Sequence, residues 1–344
     1  MRLKATELNE IIIKIDFLIY YITLQQMLTV ENIFVELKHR NHHNYILRNV
    51  SFTLNRGEIL GIAGESGSGK TILSKTILGL IKPPIIKTQG KIKLNNKNLH
   101  HDSDFHSIRG NHISIILQNP ISSLNPVVKI GKQLIETIEF HRNDLTRDQA
   151  RKYAINLLKE VEIDYPEERL NNYPFNLSGG MNQRVMIALA LACNSDILIA
   201  DEPTTALDVS IQAQILNLIK NLQKKRNLSI LFISHDISLL SKIADRIIIL
   251  YAGEIMEYLA PPFNIENVKH PYTFSLFKCI PTLESYDNTL YTIPGSIIKN
   301  SPEMDNSCIF YPRCFNRIDI CKIQKPELTN NYFCFNPLNP SIEH

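Results

Sequence analysis

Apolar residues in this chain gather in short unbroken runs rather than in strict alternation. Glu58-Ile59-Leu60-Gly61-Ile62-Ala63, Ile197-Leu198-Ile199-Ala200 and Ser229-Ile230-Leu231-Phe232-Ile233 are each about one strand long. A run without polar positions predicts a strand covered on both faces. Met27 opens an earlier strand-like run. Other stretches repeat apolar positions at helical spacing. These are Ile72 to Leu80, ended by Pro83-Pro84; Thr146 to Val161; and Met181 to Cys193 behind Ser178, a good N-cap. Buried strands alternating with helices predict an α/β fold on a parallel sheet.

The first buried strand runs directly into Gly64-Glu65-Ser66-Gly67-Ser68-Gly69-Lys70-Thr71, and a helix follows. Strand, glycine loop and helix form the setting of a phosphate-binding loop. The glycines let backbone N–H groups close around phosphate oxygens at a helix N-terminus, whose dipole favours anions. Lys70 can reach the β- and γ-phosphates, and the Thr71 hydroxyl can take a place on Mg²⁺. A chance glycine loop before a helix is the plain alternative, and the downstream residues weigh against it.

The strand at Ile197 ends in Asp201 and Glu202. Carboxylates cannot sit unpaired inside a buried strand, but at its C-terminal tip they face the phosphate loop. Asp201 suits Mg²⁺ and Glu202 suits polarising an attacking water. Ser178-Gly179-Gly180 is a second anion-binding helix start. One ATP hardly needs two such sites, so the second can serve a nucleotide held by a partner. His235, after the strand at Ser229, can hydrogen-bond a γ-phosphate; in isolation it would read as a surface or cap residue.

Composition bounds the reading. The chain has 344 residues, a formal charge of +3, 44% hydrophobic and 21% charged residues. About two globular domains are expected, and no basic block points to nucleic acid. No stretch reaches the roughly 18 uninterrupted apolar residues of a spanning helix, so the chain is not expected to form a pore. Residues 1–27 read as an N-terminal extension, with an amphipathic membrane-surface segment as the sharper alternative. Cys193 and Cys279 lie in apolar runs and read as small core residues.

The ordered set of motifs resembles the ATPase subunit of an ABC transporter over about residues 28–260. By that resemblance Gly64–Thr71 is the Walker A loop, Gln118 the Q-loop glutamine and a Mg²⁺ contact, and Leu177–Gln183 the signature. Asp201 and Glu202 end the Walker B strand, Ala206-Leu207-Asp208 is the D-loop, and His235 is the switch histidine. The resemblance implies a P-loop NTPase core of RecA type, an antiparallel β subdomain and a helical subdomain at about 119–176. It also implies a head-to-tail dimer in which Ser178, Gly179, Gly180, Gln183 and Asp208 of one subunit complete the ATP site of the other. Such domains stack adenine on an upstream aromatic residue; Phe34 to Tyr45 offers Tyr45 and several histidines, none aligning cleanly.

Gln118-Asn119-Pro120-Ile121-Ser122-Ser123-Leu124-Asn125-Pro126, His270-Pro271-Tyr272-Thr273 and Ile293-Pro294-Gly295 are similar to segments of the peptide/nickel importer group. The prolines read as turn markers without chemistry of their own. Membership implies two membrane permease subunits, an extracytoplasmic solute-binding protein, and a second ATPase, similar but distinct. It places the chain at the cytoplasmic face of the membrane, importing di- or oligopeptides, or alternatively nickel or a metal chelate. A soluble ABC clamp of DNA repair or translation would need a long coiled-coil insertion or a second set of motifs; an exporter would lack the importer segments.

Cys308, Cys314, Cys321 and Cys334 cluster near the C-terminus, separated by five, six and twelve residues. Clustered thiols without a secretory signal favour a metal or cluster over disulfides, and the spacing lacks the paired C-x2-C of zinc ribbons. An iron–sulfur cluster, zinc and free thiols all remain open on the residues alone. The segment, with Phe310-Tyr311-Pro312-Arg313-Cys314, resembles the tail of the dipeptide/oligopeptide ATPase subunits, which implies a 4Fe–4S cluster in a small domain at 261–344.

Overall fold

The computed structural model describes residues 25–39, 42–205, 207–281, 291–297 and 306–339. Its strands are β1 Gln26–His39, β2 His42–Asn55, β3 Ile59–Ala63, β4 Ile85–Leu94 and β5 Lys97–Leu99. They continue as β6 Ile113–Ile116, β7 Ile197–Asp201, β8 Ser229–Ser234, β9 Arg246–Tyr251 and β10 Glu254–Leu259. The anticipated buried strands are β3, β7 and β8, at the middle of a six-stranded sheet of order β10-β9-β3-β8-β7-β6. Its neighbours pair in parallel except β10, which runs antiparallel to β9.

The unbroken apolar runs are explained by two cores. In β7, Ile197 and Ile199 face one core while Leu198 and Ala200 face the other; in β8, Leu231 and Ile233 oppose Ile230 and Phe232. Side chains still alternate with period two, but both faces are covered, so neither set is polar. One cover is a four-stranded antiparallel sheet, order β2-β1-β4-β5. It buries Leu28, Val30, Leu47, Val50 and Leu54 against the parallel sheet and against Leu73 and Ile77 of helix Lys70–Ile77.

Helices cover the opposite face. Helices Ile130–His141, Arg147–Glu160 and Gly179–Ala192 bring Leu134, Ile138, Ala154, Leu157, Val185 and Ile187 into one cluster. The segment expected from Thr146 to Val161 is helical, with Thr146 as N-cap and Val161 as C-cap. Thr146 accepts from the Gln149 amide at 3.4 Å while its own N–H donates to Gln149 Oε1 at 2.8 Å, a reciprocal capping box. Pro271, anticipated as a turn marker, instead begins helix Pro271–Lys278, where its missing N–H costs nothing. The ring of His270 caps that helix, accepting from Tyr272 N at 3.0 Å.

In the region where a small C-terminal domain is expected, the described cysteine-rich tail shares its core with the cassette. Cys308, Ile309, Phe310, Cys314 and Cys321 join the helix-side core with Phe232, Tyr251 and Tyr272. The Phe310 ring lies 5.1 Å from Tyr251 and 5.2 Å from Tyr272. So short and loop-rich a segment cannot bury enough apolar surface alone, and the cassette supplies the missing wall. Cys193 and Cys279, read as core residues, are only half-buried.

Phe310 is fully buried, so truncating it tests this shared core. Phe310→Ala should cost about 3–5 kcal/mol in a single transition of the whole chain. A separate low-temperature transition, with the rest unfolding as in the parent, would show that the tail folds independently.

Candidate nucleotide site

Gly69 is the hinge between the loop and helix Lys70–Ile77. It caps the helix at φ 106°, and a Cβ there would lie 2.8 Å from Leu47 Cδ2, so a side chain is excluded by conformation and by space. The buried Lys70 ammonium bends back over the loop, donating to Gly64 O at 2.7 Å and Glu65 O at 3.0 Å. Burial lowers its pKa, and the nearby Glu202, Asp201 and Glu65 carboxylates oppose that shift. Ser66 and Gly67 are exposed at the loop's crest, and Ser68 is fully buried with a hydroxyl lacking a hydrogen-bond partner.

The acidic pair stands at the tip of β7 as expected. Asp201 is 3% exposed, and burial raises its pKa against hydrogen bonds from Thr71 and Ser74. Thr71 Oγ1 donates to Asp201 Oδ1 at 3.4 Å and Ser74 Oγ to Oδ2 at 3.3 Å. At Glu202 the chain leaves the strand with φ 50°, a conformation that costs a non-glycine residue about 1 kcal/mol or more. Its amide is nevertheless paired, donating to Ile233 O at 2.9 Å.

Four groups converge on that carboxylate. Gln118 Nε2 donates to Glu202 Oε2 at 2.9 Å, Thr205 Oγ1 at 3.1 Å, and His235 Nδ1 lies 3.3 Å away. Lys70 Nζ approaches Glu202 Oε1 at 3.9 Å. The His235 hydrogen bond holds the Glu202 pKa below its ordinary value, and the same bond raises that of His235. Lys70, Thr71, Gln118, Asp201, Glu202 and His235 are therefore one cluster, as the motifs implied. Ser74 and Thr205 belong to it without having been anticipated; a hydroxyl one turn after Thr71 and one three residues after Glu202 were the available signals.

A cavity of about 340 Å³ adjoins the loop, lined by Leu37, Tyr45, Ile46, Arg48, Gly67, Gly69, Thr71, Ile72, Ala252 and Ile309. Tyr45 is the aromatic side chain in that wall, with the Arg48 guanidinium 5.3 Å from its ring centre and Phe34 edge-on behind it at 5.8 Å. Arg48 and the tail residue Ile309 were not recognisable as lining residues from their neighbours in the chain.

The signature stands apart from the Lys70 cluster. Ser178 caps helix Gly179–Ala192, accepting from Met181 N at 3.3 Å, and Gly180 faces Ile211 at the start of helix Val209–Arg226. Asp208 caps that second helix, accepting from Ile211 N at 2.9 Å. Ser178 and Gly179 are exposed, but Gln183 is only 1% exposed, beneath the surface on which the resemblance placed it. The Asn182 amide, also buried, donates to Pro174 O at 3.0 Å. Ala206 of the expected D-loop, the side chains of Ile121 and Ser122, and residues 1–24 of the expected extension lie outside the described residues.

The Thr71–Asp201 oxygens suit a hard cation such as Mg²⁺. The tail is different. Cys308, Cys314 and Cys321 are buried, Cys334 is half-buried, and all are free. Burial pushes the thiol of Cys308 up to about 12, Cys314 to about 11 and Cys334 to about 12, and neighbouring tail cysteines add to each. Among the described residues no group of three or more His, Cys, Asp or Glu side chains is arranged to hold a metal ion. The expected iron–sulfur ligand set does not fit this arrangement: the cysteines are near one another but do not form a ligand group among the described residues.

Residues 47–205 match the family described as ABC transporter, and residues 263–321 match the family described as oligopeptide/dipeptide transporter, C-terminal region. The chain is similar to the oligopeptide transport ATP-binding protein AppD of Bacillus subtilis, 44% identical over 285 residues covering 81% of this chain and 85% of that one. The dipeptide transport ATP-binding protein DppD of Escherichia coli is 40% identical over 281 residues, covering 81% and 85%. Among solved structures, the dimeric MJ0796, a bacterial ABC transporter cassette, matches with a TM-score of 0.61 and 31% identity, covering 68% of this chain and 98% of that one. The post-hydrolysis state of MJ0796, bound to ADP and Pi, matches equally well. The sheet agrees with the solved cassette and the tail with the C-terminal family match, and the chain belongs to the ABC transporter family, among the oligopeptide and dipeptide transport ATP-binding proteins.

Proposed function

We propose that this chain hydrolyses ATP as a peripheral subunit of a membrane importer of di- or oligopeptides. The carrying observation is the cluster of Lys70, Thr71, Gln118, Asp201, Glu202 and His235 at the ends of β3, β6, β7 and β8. Lys70 would exchange the Gly64 and Glu65 carbonyls for phosphate oxygens. Thr71 and Asp201 would hold Mg²⁺, which would neutralise developing phosphate charge. Glu202 would take the proton of the attacking water, with Gln118 and His235 fixing its orientation. The ring of Tyr45 would stack on the adenine.

Ser178, Gly179 and Gly180 make no hydrogen bond to the phosphate loop among the described contacts, and a second ATPase subunit would supply them to this site. The dimeric relative supports that arrangement, and we assign the second subunit to a similar but distinct chain. Among the described residues no helix is long and apolar enough to cross a membrane. Transport then requires two permease subunits and, for capture, an extracytoplasmic binding protein. A cavity of about 680 Å³, lined by Leu80, Leu117, Phe140 and Met186 together with polar His106, Arg109 and His141, would be the seat of a permease at the cytoplasmic membrane face. No step is assigned to the tail cysteines.

Glu202→Gln should retain ATP binding while hydrolysis falls by about 10²–10⁴-fold, measured as phosphate release. Unchanged hydrolysis would remove Glu202 from the mechanism. The same variant should lower the His235 pKa, read by NMR. Its stability deficit should be full between about pH 4.5 and 6.5, the ordinary values of the two groups. The deficit should fade as pH rises through the raised His235 value, or falls through the lowered Glu202 value.

Lys70→Ala should abolish measurable ATP binding; retained affinity would count against the loop's role. In native protein at pH 8, Cys308, Cys314 and Cys334 should react with a thiol reagent about 10²–10³-fold more slowly than in denatured protein. Visible absorption with about four irons per chain after anaerobic purification would instead establish a cluster.

A further inference from the structure

Glu65 is a phosphate-loop residue held both from within the loop and by two distant parts of the molecule. Its carbonyl accepts from Lys70 Nζ at 3.0 Å and from Ser68 N at 3.1 Å. Its N–H donates to Tyr272 Oη at 3.0 Å, from the helix that His270 caps. Its carboxylate takes the two-pronged grip of Arg313, with Nη1 to Oε2 at 2.7 Å and Nη2 to Oε1 at 3.0 Å.

Arg313 is itself held on every side. Nε donates to Pro294 O at 2.8 Å, Nη2 also to Ile293 O at 3.2 Å, and Nη1 to Tyr251 Oη at 3.4 Å. The Arg313 side chain is 4% exposed and that of Glu65 27%. This is not a surface ion pair that solvent would screen to insignificance, because the guanidinium is fixed and its fork matches the carboxylate. Two residues whose motifs carried no chemistry in the sequence, Tyr272 and Pro294, thereby acquire a purpose. The neighbouring tail residue Ile309 lines the cavity beside Gly67, Gly69 and Thr71.

We propose that Arg313 is a positioning residue of the nucleotide site: acting through Glu65, it holds the phosphate loop in the shape that receives the triphosphate. The inference rests on the nucleotide reading above. When Lys70 leaves the Glu65 carbonyl for a phosphate, that carbonyl keeps only the Ser68 N–H of the loop itself. Arg313 and Tyr272 keep the loop's first turn in place at that moment. Without the guanidinium, Glu65 keeps a partly buried carboxylate whose hydrogen-bonded cation is gone, with only the more distant Lys70 ammonium acting on it, so its relaxation toward water drags the loop with it. The tail is then a part of the ATP site and not an appendage to it.

The test is ATP affinity at equilibrium, with turnover at saturating ATP measured beside it, for the parent, Arg313→Gln, Arg313→Lys, Glu65→Gln and the double Glu65→Gln/Arg313→Gln variant. Arg313→Gln should weaken ATP binding by about tenfold, within the range of couplings between contacting residues, and kcat should fall less than affinity. Arg313→Lys keeps charge but not the fork and should recover only part of the loss. The double variant should be no weaker than the worse single one. Unchanged affinity in folded Arg313→Gln, or additive losses in the double variant, would overturn the proposal. If Arg313→Gln does not fold, Glu65→Gln decides: parental affinity in that variant overturns it, and weakened affinity with a parental unfolding temperature supports it. Failure of the parent itself to bind ATP would overturn the nucleotide reading instead.

Discussion

A parallel sheet covered on both faces makes charge least costly at the tips of its strands, and a carboxylate inside it, such as Glu257 of β10, must be fully paired. In this molecule Lys70, Asp201, Glu202 and His235 all occupy that edge, at or just beyond the ends of β3, β7 and β8. Their mutual contacts follow from the same confinement. Lys70 is stabilised against its own burial by the carboxylates, Asp201 by the hydroxyls of Thr71 and Ser74, and Glu202 by the imidazole of His235. The site is a collection of groups that would be costly anywhere else in the sheet. It is also why a nucleotide, which brings its own negative charge and cation, has a place to go.

The second organising contact links the ends of the chain's usefulness to one another. The tail packs Phe310 between Tyr251 and Tyr272, and from that anchored position Arg313 reaches Glu65 in the phosphate loop. Packing here decides electrostatics: the aromatic cluster fixes the backbone that carries the guanidinium. The buried cysteines belong to the same packing. Burial comes first in raising the thiol pKa of Cys308 and Cys314, so these two act as small apolar residues in this arrangement.

Much of the fold was legible because its signals are local. β3, β7 and β8, the helix capped by Thr146 and the helix capped by Ser178 were readable from unbroken apolar runs, helical spacing and cap chemistry, each within about fifteen residues. The loop from Gly64 to Thr71 was legible for the same reason, since consecutive backbone groups build it. Gln183 was misplaced because a motif gives order along a helix, whereas facing is set by what packs against it; this side chain turns inward. Tyr45 was visible as an aromatic but could not be assigned, because its position beside Gly67 and Gly69 depends on how the antiparallel sheet sits on the parallel one.

By itself the sequence determined the α/β alternation, the phosphate loop, the acidic strand end and the family to which they belong, all of which are written in contiguous residues. Tertiary structure alone decided that Tyr45, Arg48 and Ile309 share one cavity, and that the tail joins the main core. It also decided that Arg313 meets Glu65 across 248 residues of chain. The physical reason is range: backbone geometry and side-chain period act over a few residues. The partner of a buried charge is chosen by whichever distant surface closes over it.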